Sequence, residues 1–244
     1  MDIQKPTIIW ADESLLCINK PPGLPTLPDG YEPGAPHLKA LLADQFGELW
    51  IVHRLDRETS GLLLLARTQD AHLLLSLQFE ARKVEKVYHA LVSGNPAWDE
   101  RKVSLPLRAD AGRAHRTVID ARQGKPALTH LKVLERFGIY TLIEARPETG
   151  RTHQVRVHLA SQGFPVAVDP LYGKGEAIYL SRIKPRYKAS RGDERPLLDR
   201  LGLHALSLKV DHPQSGERLE LVAPYPKDLE TVLKNLRRFR SSGS

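Results

Sequence analysis

His53-Arg54-Leu55-Asp56-Arg57-Glu58-Thr59-Ser60-Gly61-Leu62-Leu63-Leu64-Leu65-Ala66 sets the densest polar cluster of the chain directly against five apolar residues. A short apolar run behind a glycine reads as a buried strand, so the polar residues form the loop that enters it. Within that loop Asp56 stands between Arg54 and Arg57. Neighbouring cations favour the ionised carboxylate, and the apolar strand limits solvent access. Such an aspartate suits a nucleophile or a base. The plainer alternative is that Asp56 and Thr59 cap a turn and pair with an arginine. His53 and Asp56 have no third ligand at recognisable spacing, so no metal site is expected.

Working outward, a turn from Trp10 leads into a strand at Leu15–Ile18, and Lys20-Pro21-Pro22-Gly23-Leu24-Pro25 must be an extended loop, because proline removes donors and forbids helix. Helical spacing predicts helices over Pro36–Phe46, with Gly47 as cap, and over Thr68–Arg82. Alternation then predicts strands near Val87–Val92, Thr117–Ala121, Leu128–Leu134, Tyr140–Ala145, Leu203–Val210 and Arg218–Val222. Further helices are expected over Thr152–Gln162, closed by Gly163, and over Lys227–Arg238, where Leu229, Val232, Leu233 and Leu236 make one apolar stripe. Strands outnumber helices and often follow one another directly. The expected fold class is α+β, on a mixed, largely antiparallel sheet with flanking helices.

Composition bounds the function. The 244 residues are 41% hydrophobic and 27% charged, with 17 Gly and 18 Pro, which is ordinary globular usage. No apolar run approaches the roughly 20 residues that cross a bilayer, and the first residues lack the order of a signal peptide, so a cytoplasmic protein with no membrane partner is expected. Cys17 is alone, which excludes an intramolecular disulfide. The 36 Lys and Arg against 29 Asp and Glu give +7 and favour polyanionic partners. Two stretches concentrate this charge: Arg101–Lys125 carries seven basic residues and Lys174–Arg200 eight. They read as solvated loops or as arms that grip a phosphate backbone.

A second polar cluster, Glu148-Thr149-Gly150-Arg151-Thr152-His153-Gln154-Val155-Arg156, opens the helix expected from Thr152. A basic helix start can receive an anion, and an arginine fork is the favoured partner of a carboxylate in a tight site. Arg156 is therefore a candidate partner for Asp56, or else a surface cation.

Taken together these stretches resemble the RluA-type pseudouridine synthase family. HRLDRETSGLLLLA, His53 to Ala66, is similar to its catalytic signature, and TLIEARPETGRTHQVRVHLA, Thr141 to Ala160, to its second signature. Asn19 to Pro25, Lys86 to Gly94, and Leu203 to Leu206 with Asp211-His212-Pro213 resemble three further motifs in the family's order. The resemblance covers roughly residues 7 to 226. Val155 stands where isoleucine is common, and Val168 precedes Asp169 where the family often has glycine, a change that bears on the local loop.

The resemblance implies a pseudouridine synthase fold around a central catalytic cleft, one catalytic domain over residues 1–240, and a flexible tail at 241–244. Few residues precede Ile8, so no S4 RNA-binding module is expected ahead of the first motif. The implied activity is isomerisation of specific uridines in ribosomal or transfer RNA, without cofactor, by a monomer. Asp56 would be the catalytic carboxylate, acting at C1′ as nucleophile or on the 2′ hydrogen as base. Tyr88 would stack on the flipped uracil and assist a late proton removal, and Arg156 would pair with Asp56. Arg54, Thr59, Gly61, Arg151, His153 and Leu203 would bind substrate. The alternative is a non-catalytic RNA-binding or ribosome-assembly factor on the same fold. A glycoside hydrolase is disfavoured, since no second catalytic carboxylate is evident.

Overall fold

The computed structural model describes residues 5–28, 36–111, 116–187 and 193–239; the expected tail, and parts of both basic stretches, lie outside the described residues. In chain order the elements are β1 (Thr7–Ala11), β2 (Leu15–Lys20), α1 (Leu38–Phe46), β3 (Trp50–Ile51), β4 (Ser60–Ala66), α2 (Gln69–Glu80), β5 (Glu85–Ser93), β6 (Glu100–Ser104), β7 (Leu107–Ala111), β8 (Arg116–Ile119), β9 (Leu128–Arg136), β10 (Tyr140–Pro147), α3 (Gln154–Ser161), α4 (Leu180–Ile183), β11 (Leu203–Asp211), β12 (Arg218–Val222) and α5 (Lys227–Arg238). They form two compact units, residues 1–88 with 204–224, and residues 89–203 with 225–244. Among the described residues no helix is long and apolar enough to cross a membrane.

In the first unit every residue of β4 is buried. Side chains alternate across a strand, so Leu62, Leu64 and Ala66 pack with Ala71 and Leu75 of α2, whereas Leu63 and Leu65 pack with Leu38 and Leu42 of α1. A run that must be apolar on both faces cannot show the two-residue alternation of a half-exposed strand. β2 pairs antiparallel with β1 on one side and with β4 on the other. β4 meets β11 in parallel, Ser60 opposite His204 and Gly61 opposite Ala205, which makes the sheet mixed as expected. Gly61 is obligatory there: its φ is +115°, and a Cβ would lie 2.2 Å from the Ala205 carbonyl oxygen.

In the second unit β9 lies between β6 and β10, antiparallel to both, and β7 with β8 makes a separate hairpin. The α5 stripe is buried against Phe137, Tyr140 and Leu142, as its spacing predicts. Arg200 closes the start of α5 with a fork to Asp228, Nε to Oδ2 at 2.6 Å and Nη2 to Oδ1 at 2.7 Å. This corrects one expectation, since Arg200 had been counted with the basic arms and is instead committed to an internal ion pair.

Other differences have plain causes. The segment read as a turn at Trp10 is strand β1, whose Ile8 and Trp10 are both exposed on an edge, so no alternation marks it. β6 is a charged edge strand with only Val103 buried, which is how edges are protected from pairing further. α3 begins at Gln154 instead of near Thr152, because His153 adopts a left-handed φ of 53° and turns the chain into the helix.

Truncating Leu64, which has no exposed surface, is expected to remove about 3 kcal/mol of stability, whereas Leu73→Ala on the open face of α2 should change it by less than about 0.5 kcal/mol. Urea unfolding of the two variants reads the difference.

Candidate active site

The loop bearing Asp56 is locked from below by a buried cation. Lys20, at the end of β2, has no exposed surface, and its ammonium donates to the carbonyls of Pro21 at 2.8 Å, Leu24 at 2.9 Å and Arg57 at 3.0 Å. An ammonium taken out of water needs such acceptors, and here they join the proline-rich loop to the residue after Asp56. The Gly23 amide adds a bond to the Arg57 carbonyl at 2.9 Å, and Thr26 Oγ1 donates to Leu55 O at 3.2 Å. Leu55 is buried, Asp56 half-buried and Arg54 exposed, so the loop roots its leucine in the core and leaves its carboxylate reachable. A cavity of about 270 Å³ opens beside it, lined by Pro25–Pro28, Arg54, Leu55 and Arg57.

On the strand side, Ser60 Oγ lies 3.0 Å from His204 Nδ1, and His204 Nε2 lies 3.1 Å from the Ala223 carbonyl. A carbonyl only accepts, so Nε2 carries the proton and Nδ1 accepts from the serine hydroxyl. His53 is also a fixture. Its Nε2 accepts from the Leu64 amide at 3.0 Å and its ring stacks on Phe79 at 4.8 Å. Burial, reinforced by the charge of Lys86, pushes its pKa down to about 3. Among the described residues no cluster of three His, Cys, Asp or Glu is arranged to hold a metal ion.

Tyr88 packs against the cluster that contains Leu55, Leu63 and Ala205. Burial raises the pKa of its hydroxyl, and the negative charge of Asp56 raises it further. These two candidates therefore share one electrostatic environment. Thr59 is buried beneath the turn that its amide closes on the Asp56 carbonyl at 3.1 Å.

Arg151, His153, Arg156 and Leu203 belong to the second unit. Gln154 is the organiser of that segment: its side chain accepts from Thr149 Oγ1 and the Arg151 amide, and donates to Leu128 O and Thr129 Oγ1, all within 3.0 Å. Arg156 follows on the buried side of α3 and forks onto Asp169, Nε to Oδ2 and Nη2 to Oδ1, both at 2.8 Å. Its guanidinium also lies over the Tyr172 ring, 5.1 Å from the centroid. Arg151 Nε reaches the Pro126 carbonyl at 3.3 Å, and Leu203 is buried at the start of β11. Lys20, Ser60, His204, Asp169 and Tyr172 had no assigned part in the sequence reading. The signal for Lys20, Ser60 and His204 was position inside a quoted motif, but the duty of all five depends on partners that only the folded chain brings to them.

A family model described as RNA pseudouridylate synthase matches residues 14–161, which span both signatures, Lys20 and Tyr88. The chain belongs to this family. A protein named ribosomal large subunit pseudouridine synthase D from Neisseria meningitidis serogroup B is 37% identical over 235 residues, covering 94% of this chain and 61% of that protein. A protein of the same name from Pseudomonas aeruginosa is 36% identical over 241 residues, covering 96% of this chain and 73% of its own length. The solved structure of human RNA pseudouridylate synthase domain containing 4 superposes with a TM-score of 0.71 at 28% identity, over 95% of this chain and 93% of that one. As in that pseudouridylate synthase structure, the α+β architecture runs through nearly the whole chain.

The neutral His53 ring makes a pH test of the loop. Its folded pKa lies below the ordinary value of 6.5, so its contribution to stability is present above 6.5 and is lost as pH falls toward about 3. His53→Gln keeps an acceptor for Leu64 and should flatten the stability profile across that window; unchanged curvature in acid titrations followed by circular dichroism would contradict the assignment.

Proposed function

We propose that this chain is an RNA pseudouridine synthase that isomerises uridines in large-subunit ribosomal RNA, with Asp56 as its catalytic carboxylate. The observation that carries the proposal is the setting of Asp56. It is half-buried on a loop clamped by Lys20, and its charge acts on the buried hydroxyl of Tyr88. The names of the relatives support ribosomal RNA as the substrate class.

In the reaction the uridine leaves its stack, an expense of a few kcal/mol that is smallest in a loop. The bond between uracil N1 and ribose C1′ breaks, the base turns while held, and C5 bonds to C1′. The C5 proton departs and N1 ends protonated, so no atom is gained or lost. Asp56 acts at C1′ as nucleophile or on the 2′ hydrogen as base. Tyr88 offers its ring as a stacking surface. With its hydroxyl pKa raised it stays a phenol, which suits stacking and hydrogen-bond donation better than service as a phenolate base. In the proposed reaction Arg156 is the cation contributed by the second signature, and exposed Arg54, which lines the cavity together with Arg57, would meet a phosphate of the extruded nucleotide. Thr59 and Gly61 hold the loop behind the carboxylate.

Asp56→Asn is expected to keep the fold and RNA affinity while lowering pseudouridine formation by at least about 10⁴-fold. Substantial turnover by that variant overturns the assignment, and comparison of pseudouridine maps of cellular RNA with and without the gene tests the activity itself. RNA binding should weaken by ~10-fold or more between 50 and 200 mM salt if several phosphates are contacted; a flat response in filter-binding titrations contradicts the phosphate contacts.

A further inference from the structure

The reading of Arg156 as the cation of the reaction leaves open what holds it in place. Its guanidinium is nearly buried, at 6% side-chain exposure, and Asp169 is fully buried. A buried fork fixes two of the three guanidinium nitrogens in one plane, something a lone surface arginine lacks. Asp169 is itself held, accepting from the amides of Leu171 at 2.9 Å and Tyr172 at 3.1 Å through Oδ1. The chain reaches this geometry through Val168, whose φ of 59° places a β-branched, buried residue in the left-handed region. Such a conformation is unfavourable for valine and persists where the surroundings over-determine it. The strain stands one residue before the carboxylate that meets Arg156.

Tyr172 forms the second wall. Its ring lies against the guanidinium, and its hydroxyl accepts from the Thr117 amide of β8 at 2.8 Å and lies 2.9 Å from His153 Nδ1. While it accepts from the amide, the hydroxyl keeps its own proton available for the histidine nitrogen. One phenol thus links the β7–β8 hairpin, with its Arg108 and Arg116, to the start of α3 and to Arg156.

We propose that Asp169 and Tyr172 are positioning residues for the reaction: together they hold the Arg156 guanidinium in its working orientation, and the Tyr172 hydroxyl ties that orientation to the basic hairpin. The proposal rests on the role assigned to Arg156. Positioning through another residue affects turnover more than binding, and its loss is not additive with damage to the residue it acts through.

The test measures tritium release from a large-subunit ribosomal RNA transcript carrying 5-tritiated uridine, for the full chain with Arg156→Lys, Asp169→Asn, their double variant, and Tyr172→Phe. Arg156→Lys keeps the charge and loses the fork. Asp169→Asn is expected to lower kcat about 10- to 100-fold with KM within about twofold, and to lower it far less in the Arg156→Lys background. Tyr172→Phe keeps the ring and removes the tie, and should lower kcat several-fold at unchanged KM; it remains decisive if Asp169→Asn does not fold. Full additivity in the cycle, or a rise in KM at constant kcat for Tyr172→Phe, overturns the positioning role while leaving the activity standing. Wild-type turnover by Arg156→Lys and by Arg156→Met removes the role of Arg156, and the positioning role with it. Absence of tritium release from the unaltered chain strikes at the proposed function instead.

Discussion

Burial of β4 on both faces constrains the first unit more than any other feature. A strand whose seven residues all lie inside must have a helix or sheet neighbour over each side and a partner on each edge, and α1, α2, β2 and β11 are those neighbours. The polar loop before it consequently has one place to go, the N-terminal end of β4, with Leu55 pulled inward and Asp56 left at the boundary with solvent. The close approach of Gly61 to Ala205 then pins the register, because any side chain there would collide with backbone.

In each unit, charges taken out of water are met by fixed acceptors or donors. Lys20 meets three carbonyls, Arg156 a forked carboxylate and an aromatic face, Arg200 a carboxylate at a helix start. Each group would be strongly destabilising alone in a low-dielectric interior, so each arrangement behaves as a unit that is intact or disrupted as a whole. Rigid placement of catalytic groups ahead of substrate binding is a recognised source of rate, since no reorganisation remains to be done during the reaction. His53 follows the same pattern with the opposite sign, being held neutral by burial while it accepts from the strand it precedes.

The family and its α+β class were legible from residues alone, because HRLDRETSGLLLLA and the TGRTHQVRVH segment carry their chemistry in local order. Helix α5, strand β12 and the cap at Gly47 were equally plain, their spacing and terminal residues being short-range signals. Edge strands β1 and β6 escaped notice, since exposure on an edge erases the alternation by which a strand is recognised.

By itself the sequence determined which residue types meet solvent, which runs must be buried, and that an aspartate between two arginines heads a buried strand. Only the tertiary structure decided that Lys20 would clamp the loop, that Ser60 would meet His204, and that Arg156 would be gripped by Asp169 and Tyr172. The physical reason is range: propensity and patterning act over a few residues, whereas the partner of a buried charge is chosen by whichever acceptor the packed chain brings within about 3 Å of it.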